Sequence, residues 1–176
     1  MGLAPYGDKS LVKKFEKIIK INKNGSYQIK DKWFDFFQES FSDEFIKMLG
    51  FKKRDKNKLT KNHVNLAFAV QNKLENSMLG LANLAKGITG SSNLCIGGGV
   101  ALNSVANGKI IKKCIFKNVF VYPASGDSGT AVGAALLSYN NKTEKKIRKS
   151  FPLCGIFVKN DFTVPPLFIL LNIISL

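Results

Sequence analysis

The chain has 176 residues, 45% of them hydrophobic, which is enough for one domain with an apolar core and leaves little room for two. Its net charge of +15 comes almost entirely from lysine, because Arg54 and Arg148 are the only arginines. Specific nucleic-acid recognition usually relies on arginine or on basic runs interleaved with aromatic residues, but the chain has only two arginines and no such run. The positive charge is therefore better explained by a lysine-rich composition than by a nucleic-acid-binding role.

The cysteines Cys95, Cys114 and Cys154 are odd in number and have no CxxC spacing, which argues against a disulfide framework and a thiolate zinc site. The start of the chain lacks the long apolar core of a secretory signal. The apolar run over residues 167–176 is much shorter than the roughly 20 residues that span a bilayer. We therefore expect a cytoplasmic protein with no membrane insertion.

The first half of the chain predicts a loop followed by small elements. Residues 1–9 are rich in glycine and proline and are predicted as a loop, followed by a helix over residues 11–19. A turn over residues 22–25 precedes a short alternating strand over residues 26–30. The aromatic-rich residues 33–51 could line a ligand pocket or pack a helical subdomain, and we favour packing.

The second half alternates helices with apolar strands. The predicted elements are a helix over residues 64–86 that Thr60 or Asn62 can cap and Gly87 closes, a strand over 94–96, a helix over 100–113, a strand over 119–122 and a helix over 130–139. This order implies a parallel or mixed α/β core. His63, the only histidine, lies at the start of the long helix and is expected to be a surface or capping residue.

The first glycine loop follows the predicted strand over residues 94–96. Gly97, Gly98 and Gly99 let backbone N–H groups approach a ligand, and a helix that begins there directs its positive end towards an anion. Asn103 adds an amide that can bond a ribose, a phosphate or a carbonyl. A tight turn without a ligand would also explain the three glycines, and the pattern is neither a dinucleotide-binding nor a P-loop motif.

The second glycine loop, residues 125–129, reads SGDSG after the strand over residues 119–122. A lone carboxylate such as Asp127 can reach a divalent cation, while the N–H groups of Ser125, Gly126 and Gly129 face a phosphate. Asp127 could instead only cap the next helix. Together with the first loop, the pattern favours a site for phosphate and metal.

Three segments of the chain resemble signatures of the nodulation and antibiotic O-carbamoyltransferase family. Residues 98–109 read GGVALNSVANGK and resemble the pattern GGVALN-x-x-ANGK. Residues 120–135 read FVYPASGDSGTAVGAA and resemble the second signature, and residues 1–7 resemble the segment MGLAPYG. Because the three motifs occur in order, the resemblance is specific.

The resemblance implies a fold similar to part of the actin-like ATPase superfamily of sugar kinases and heat-shock chaperones, with a mixed sheet and flanking helices. It implies an enzyme that uses carbamoyl phosphate and ATP, forms carbamoyl adenylate and carbamoylates a hydroxyl group of a sugar-like or antibiotic acceptor. The residues implied to hold the adenylate are Gly97, Gly98, Gly99 and Asn103, with Asn107 as a further candidate. Asp127 is implied to be a ligand of a divalent, iron-type metal. No catalytic residue is identified.

The chain also departs from the family pattern. Two histidines of an HxxxH helix, upstream of the MGLAPYG segment in the family, have no counterpart here, and His63 does not match that motif. We therefore expect residues 1–146 to be a fragment of the transferase domain, with a helical and aromatic insert over residues 1–62 and an α/β core over residues 63–140. Residues 147–176 are expected to be an apolar tail outside the family pattern, produced by a frame disruption or a gene truncation. Such a fragment is expected to be inactive alone and to associate with itself, or with the missing parts of its parent, through exposed core surface.

Three alternatives remain open. The chain could be a catalytically inactive nucleotide-binding module of the actin-like ATPase superfamily, or a basic nucleic-acid-binding scaffold. The threonylcarbamoyl-transferring proteins that modify transfer RNA share the implied fold. Their glycine loop usually reads GGVAAN, so Leu102 counts against this third alternative.

Overall fold

A computed structural model of the chain describes residues 1–34, 41–52 and 58–143. The helices of this part are α1 (Val12–Phe15), α2 (Asp43–Leu49), α3 (Lys61–Thr89), α4 (Ser104–Lys112) and α5 (Ser128–Thr143). The strands are β1 (Ile19–Ile21), β2 (Tyr27–Ile29), β3 (Asn93–Ile96) and β4 (Asn118–Val121). Short 3-10 helical turns occupy Ala4–Tyr6, Lys9–Leu11, Asp31–Trp33 and Gly99–Leu102.

The chain is α/β, with two small sheets in its described part. Strands β1 and β2 form an antiparallel hairpin, and β3 pairs with β4 in parallel. The parallel pair confirms the predicted order of strand, glycine loop and helix. The described residues do not join the four strands into the single mixed sheet that the resemblance implied.

The described residues form two compact units. The first comprises Met1–Gly90 and Gly108–Ile115, and the second comprises Ser91–Asn107 and residues 116–143. Each of the residues predicted for the site, from Gly97 to Gly129, lies in the second unit. None of the described helices is both long and apolar enough to cross a membrane.

Aromatic and aliphatic side chains build the core of the first unit. Its buried members are Leu11, Phe15, Ile18, Trp33, Phe45, Leu49 and Ala69. Phe15 and Phe45 pack edge to face with ring centroids 6.3 Å apart, and the indole N–H of Trp33 donates to the carbonyl of Lys17 at 3.0 Å. The aromatic-rich stretch therefore packs a core, as predicted, although Phe36 and Phe37 lie outside the described residues.

The β1–β2 hairpin packs against α3 through two glycines. Gly25 has a φ of 89°, and a Cβ built on it would lie 2.2 Å from the carbonyl oxygen of Gly80. Both the backbone conformation and the close approach require glycine at position 25. The sequence predicted β2 and the turn before it, but it assigned Ile19 to a helix that ends at Phe15 in the structure. That prediction was wrong because isoleucines at positions 18, 19 and 21 fit a short alternating strand as well as a helix.

Helix α3 confirms the predicted long helix, with different ends. Gly87 does not close it; Gly90 does, with a φ of 62° and an N–H that donates to the carbonyl of Lys86 at 2.9 Å. At the other end, Thr60 is the N-cap residue, and its N–H donates to Nδ1 of His63 at 3.1 Å. This hydrogen bond confirms that His63 is a capping residue.

The predicted helix over residues 100–113 is divided in the structure. Gly99–Leu102 form a 3-10 turn, Asn103 leaves the helical region with φ −79° and ψ 88°, and α4 begins only at Ser104. The single-helix prediction was therefore wrong. The glycine loop is followed by a separate tight turn that the apolar pattern did not reveal.

Candidate functional site

The two glycine loops meet at one edge of the β3–β4 pair. The strands are in parallel register, with Ile96 opposite Val121, so both loops leave the sheet at the same edge. The N–H of Tyr122 extends the ladder by donating to the carbonyl of Ile96 at 3.4 Å. A Cβ built on Gly126 would lie 3.7 Å from Cδ1 of Leu102, so the Leu102 side chain lies close to the second loop. This edge is where ligands of parallel α/β sheets bind.

In the first loop, the backbone requires glycine at position 98, and there is free space beside Gly97 and Gly99. Gly98 has φ 89° and ψ 163°, a conformation that is essentially restricted to glycine. A Cβ built on Gly97 or Gly99 would meet nothing within 4 Å. Gly99 and Val100 begin the 3-10 turn, so their N–H groups have no acceptor within it. Gly98 therefore fixes the shape of the loop, and its neighbours leave free space beside it.

Asn103, predicted to contact the adenylate, caps α4 in the structure. Its Oδ1 accepts a hydrogen bond from the N–H of Ala106 at 3.1 Å, and the N–H of Asn107 donates to its carbonyl at 3.0 Å. This is the bonding pattern of an N-cap residue. The side-chain oxygen of Asn103 is thus engaged by the helix, and its predicted ligand role stays a prediction.

Asn107, the further candidate for adenylate binding, points inward. The residue is only 8% exposed, and its Nδ2 donates to the carbonyl of Ala101 at 2.7 Å. Its Oδ1 is buried and has no partner among the described residues. The bond to Ala101 joins the second turn of α4 to the 3-10 turn behind the first glycine loop.

In the second loop, Ser125 and Gly129 are committed to the shape of the backbone. Ser125 is buried, and its hydroxyl donates to the carbonyl of Tyr122. A Cβ built on Gly129 would lie 2.2 Å from the carbonyl oxygen of Ala124 and 3.1 Å from Cε1 of Tyr122, so only glycine fits there. Gly126 accepts at its carbonyl from the N–H of Gly129 at 3.0 Å, and this bond closes the turn into α5.

Asp127 is exposed directly before α5. Its carbonyl accepts from the N–H of Thr130 at 3.0 Å, which begins the helix. Across the described ranges, no three His, Cys, Asp or Glu side chains cluster in a way that could hold a metal ion. A divalent cation in a protein usually takes several such ligands, so Asp127 alone does not fit a complete metal centre.

The MGLAPYG segment belongs to the first unit and packs on α3. A Cβ built on Gly7 would lie 2.6 Å from both the carbonyl oxygen of Val64 and Cβ of Phe68, which explains a glycine there. The N–H of Asp8 donates to Oδ1 of Asn65 at 3.1 Å. Tyr6 is 74% exposed. Sequence reasoning missed this docking, because nothing in the segment itself indicates its partner helix.

Two ionisable groups have perturbed pKa values with clear causes. A hydrogen bond from the Ser10 side chain, and then one from the Ser10 N–H at 2.9 Å, hold the pKa of the Asp8 carboxylate below its usual value. Burial raises the pKa of the Cys95 thiol. Cys95 lies half-buried in β3, and the raised pKa makes its thiol a poor nucleophile.

Comparison with known proteins assigns the family. The family model described as "Carbamoyltransferase N-terminus" matches residues 1–136, which include both glycine loops and the MGLAPYG segment. The match covers more than half of the chain. The chain therefore belongs to the family of carbamoyltransferase N-terminal domains, as the three motifs predicted.

Individual relatives agree with this assignment. The chain is 33% identical over 141 residues to nodulation protein NolNO of Sinorhizobium fredii, which covers 80% of this chain and 20% of that protein. It is 29% identical over 138 residues to nodulation protein NolO of Bradyrhizobium diazoefficiens, covering 78% and 24%. A protein of Synechocystis described as uncharacterized protein sll1178 is 32% identical over 169 residues, covering 93% and 28%. The chain thus spans between 20% and 28% of the length of these relatives.

Proposed function

We propose that this chain provides the adenylate-binding loops of an O-carbamoyltransferase. In the proposed reaction, carbamoyl phosphate, water and ATP yield carbamoyl adenylate with release of phosphate and pyrophosphate. The carbamoyl group then passes to a hydroxyl of a sugar-like or antibiotic acceptor, and AMP leaves with the bridging oxygen. The observation that carries the proposal is the meeting of the two glycine loops at the carboxyl edge of the β3–β4 pair. The family assignment and the names of the nodulation relatives support the same class of enzyme.

The chain's own groups suit a phosphate-bearing ligand. The N–H groups of Gly99 and Val100 have no acceptor within their turn, and the spaces beside Gly97 and Gly99 admit a ligand close to the backbone. The second loop runs into the amino-terminal end of α5 at Ser128, which adds its positive dipole end. We infer that the first loop binds and orients the phosphate, and that the second loop lies beside it, where the Leu102 side chain is close to Gly126.

The metal and the wider fold are parts of the same proposal. Asp127 can supply one oxygen ligand to a divalent, iron-type metal, and the other ligands would have to come from outside the described residues. No step proposed here depends on that metal. The repeated order of strand, glycine loop and helix supports the idea that the second unit is part of an actin-like ATPase fold.

The experiment has two stages. In the first, isothermal titration calorimetry measures binding of ATP and of AMP to the 176-residue chain, with inorganic phosphate as a control ligand. The proposal expects both nucleotides to bind, and absence of nucleotide binding would contradict it. In the second, radiolabelled carbamoyl phosphate, ATP and a hydroxyl acceptor are incubated with the full-length protein that contains this chain. Transfer of label supports the carbamoyltransferase, whereas nucleotide binding without transfer supports an inactive nucleotide-binding module.

The basic composition motivates one further control. Retention of the chain on DNA or RNA that weakens steeply with salt would favour the nucleic-acid-binding alternative. The proposal expects nucleotide binding that 0.5 M salt weakens only modestly, because a few backbone N–H groups rather than many lysines make the contact.

A further inference from the structure

We propose that Asn107 is a positioning residue, which sets the conformation of the first glycine loop through the carbonyl of Ala101 and does not itself contact the nucleotide. The proposal assigns the amide of Asn107 a role within the loop scaffold. Its consequence for nucleotide affinity rests on the function proposed above. Its consequence for the conformation of the loop is independent of that function.

A short series of hydrogen bonds connects α4 to the loop. Nδ2 of Asn107 donates to the carbonyl of Ala101 at 2.7 Å, across six positions of the chain. The N–H of Ala101 donates in turn to the carbonyl of Gly98 at 3.0 Å. Gly98 is the residue whose φ of 89° turns the chain out of β3. The amide of Asn107 thus acts on the residue that gives the loop its shape.

The carbonyl of Ala101 needs such a donor. Ala101 is 2% exposed and lies near the end of a 3-10 turn, where carbonyl groups commonly take their donors from side chains. A buried carbonyl left without a donor is costly, so losing the amide would favour another loop conformation in which this oxygen reaches water. Asparagine at position 107 reaches the carbonyl from the second turn of α4.

The other end of the Asn107 side chain shows which of its groups matters. The residue is only 8% exposed, and its Oδ1 is buried without a partner among the described residues. A side chain present only to fill the core would not bury an unpaired oxygen, because an apolar group of the same size avoids that cost. The donor is therefore the functional part of Asn107, and removal of the donor is the informative change.

The test compares Asn107→Asp with Asn118→Asp in the full 176-residue chain. Both substitutions replace an amide by a carboxylate in the second unit, and each removes a hydrogen bond of 2.7 Å that the side chain donates. Asn118 lies at the start of β4, the opposite end of the strand from the second loop, and donates to Asn93. Asn107→Leu is a second variant, which also lacks the donor but buries no charge. It keeps the test decisive if the aspartate variant fails to fold.

Amide hydrogen exchange followed by NMR measures the loop without any ligand. We expect the amides of Ala101 and Asn103 to exchange about tenfold faster or more in both Asn107 variants, since these amides hold the 3-10 turn together. The amides of β3 should exchange at the wild-type rate in the leucine variant. In Asn118→Asp, the loop amides should be unchanged. Equal exchange of the loop amides in the wild type and in Asn107→Leu would overturn the proposal.

Calorimetry with ATP then measures the consequence for binding. We expect the dissociation constant to rise about tenfold in Asn107→Leu, which corresponds to about 1.4 kcal/mol, and to stay unchanged in Asn118→Asp. Faster loop exchange with an unchanged dissociation constant would overturn the link between loop shape and binding. If the wild-type chain does not bind ATP, the proposed function fails, and the exchange rates alone still decide whether Asn107 positions the loop.

Discussion

Alanine substitutions along the first glycine loop separate a backbone requirement from a ligand-binding role. Gly98 has φ 89° and ψ 163°, so an alanine there is strained by about 1–3 kcal/mol. Gly97 has no positive φ, and a Cβ on it meets nothing within 4 Å. Gly97→Ala should therefore leave stability unchanged or raise it by up to about 1 kcal/mol, because alanine reduces the freedom of the unfolded chain.

The two variants should differ, because Gly98→Ala should lose stability and Gly97→Ala should lose affinity for ATP. Native-state hydrogen exchange of the β3 amides, which belong to the same unit, reports the free energy of opening for each variant. Gly98→Ala should lower it and Gly97→Ala should not. If the space beside Gly97 receives the nucleotide, Gly97→Ala should nevertheless weaken ATP binding, because the added methyl group occupies that space. A Gly97→Ala chain that binds ATP as tightly as the wild type would refute the assignment of this space to the ligand.

Three further substitutions test the first unit, each followed by thermal unfolding. Gly25→Ala should destabilise by more than the roughly 1–2 kcal/mol expected for its φ of 89° alone, because its Cβ would also lie 2.2 Å from a backbone oxygen of α3; an effect below 1 kcal/mol would contradict the close packing. Lys109→Met should destabilise by about 1–3 kcal/mol or more, because it removes the ion-pair partner of Glu75, whose side chain is 5% exposed. Adding Glu75→Gln to this variant should restore part of the lost stability. Asp8→Asn should lower the melting temperature at neutral pH. The hydrogen bonds from Ser10 lower the folded-state pKa of Asp8 below 3.8, so Asp8 stabilises the fold above that value and this stabilisation is lost as the pH falls through the folded-state pKa. A difference in melting temperature between the wild type and Asp8→Asn that persists at lower pH would contradict this.

The strands of the site and their glycine loops could be predicted from the sequence because their signals are local. An apolar run followed by glycine indicates a buried strand that ends, and this pattern occurs before Gly97 and again before the second loop. The parallel pairing of β3 and β4 confirms what that repetition implied. The three motifs also predicted the family that the comparisons assign.

The missed features depend on tertiary contacts or on the competition between similar local signals. Gly87 and Gly90 are equally plausible helix ends from the sequence, and only the left-handed conformation of Gly90 shows where α3 stops. Asn103 interrupts the predicted helix because its side chain caps α4. The inward direction of the Asn107 amide depends on the position of the Ala101 carbonyl, which a pattern of residue types does not specify.

One measurement tests the central claim, that the two glycine loops form one nucleotide site. An NMR titration of the isotopically labelled chain with ATP follows every backbone amide, with the β1–β2 hairpin of the first unit as an internal reference. We predict saturable shifts in both loops, over residues 97–102 and 125–129, with a common dissociation constant and unchanged signals from the hairpin. Shifts confined to other parts of the chain, or shifts in one loop only, would contradict the account.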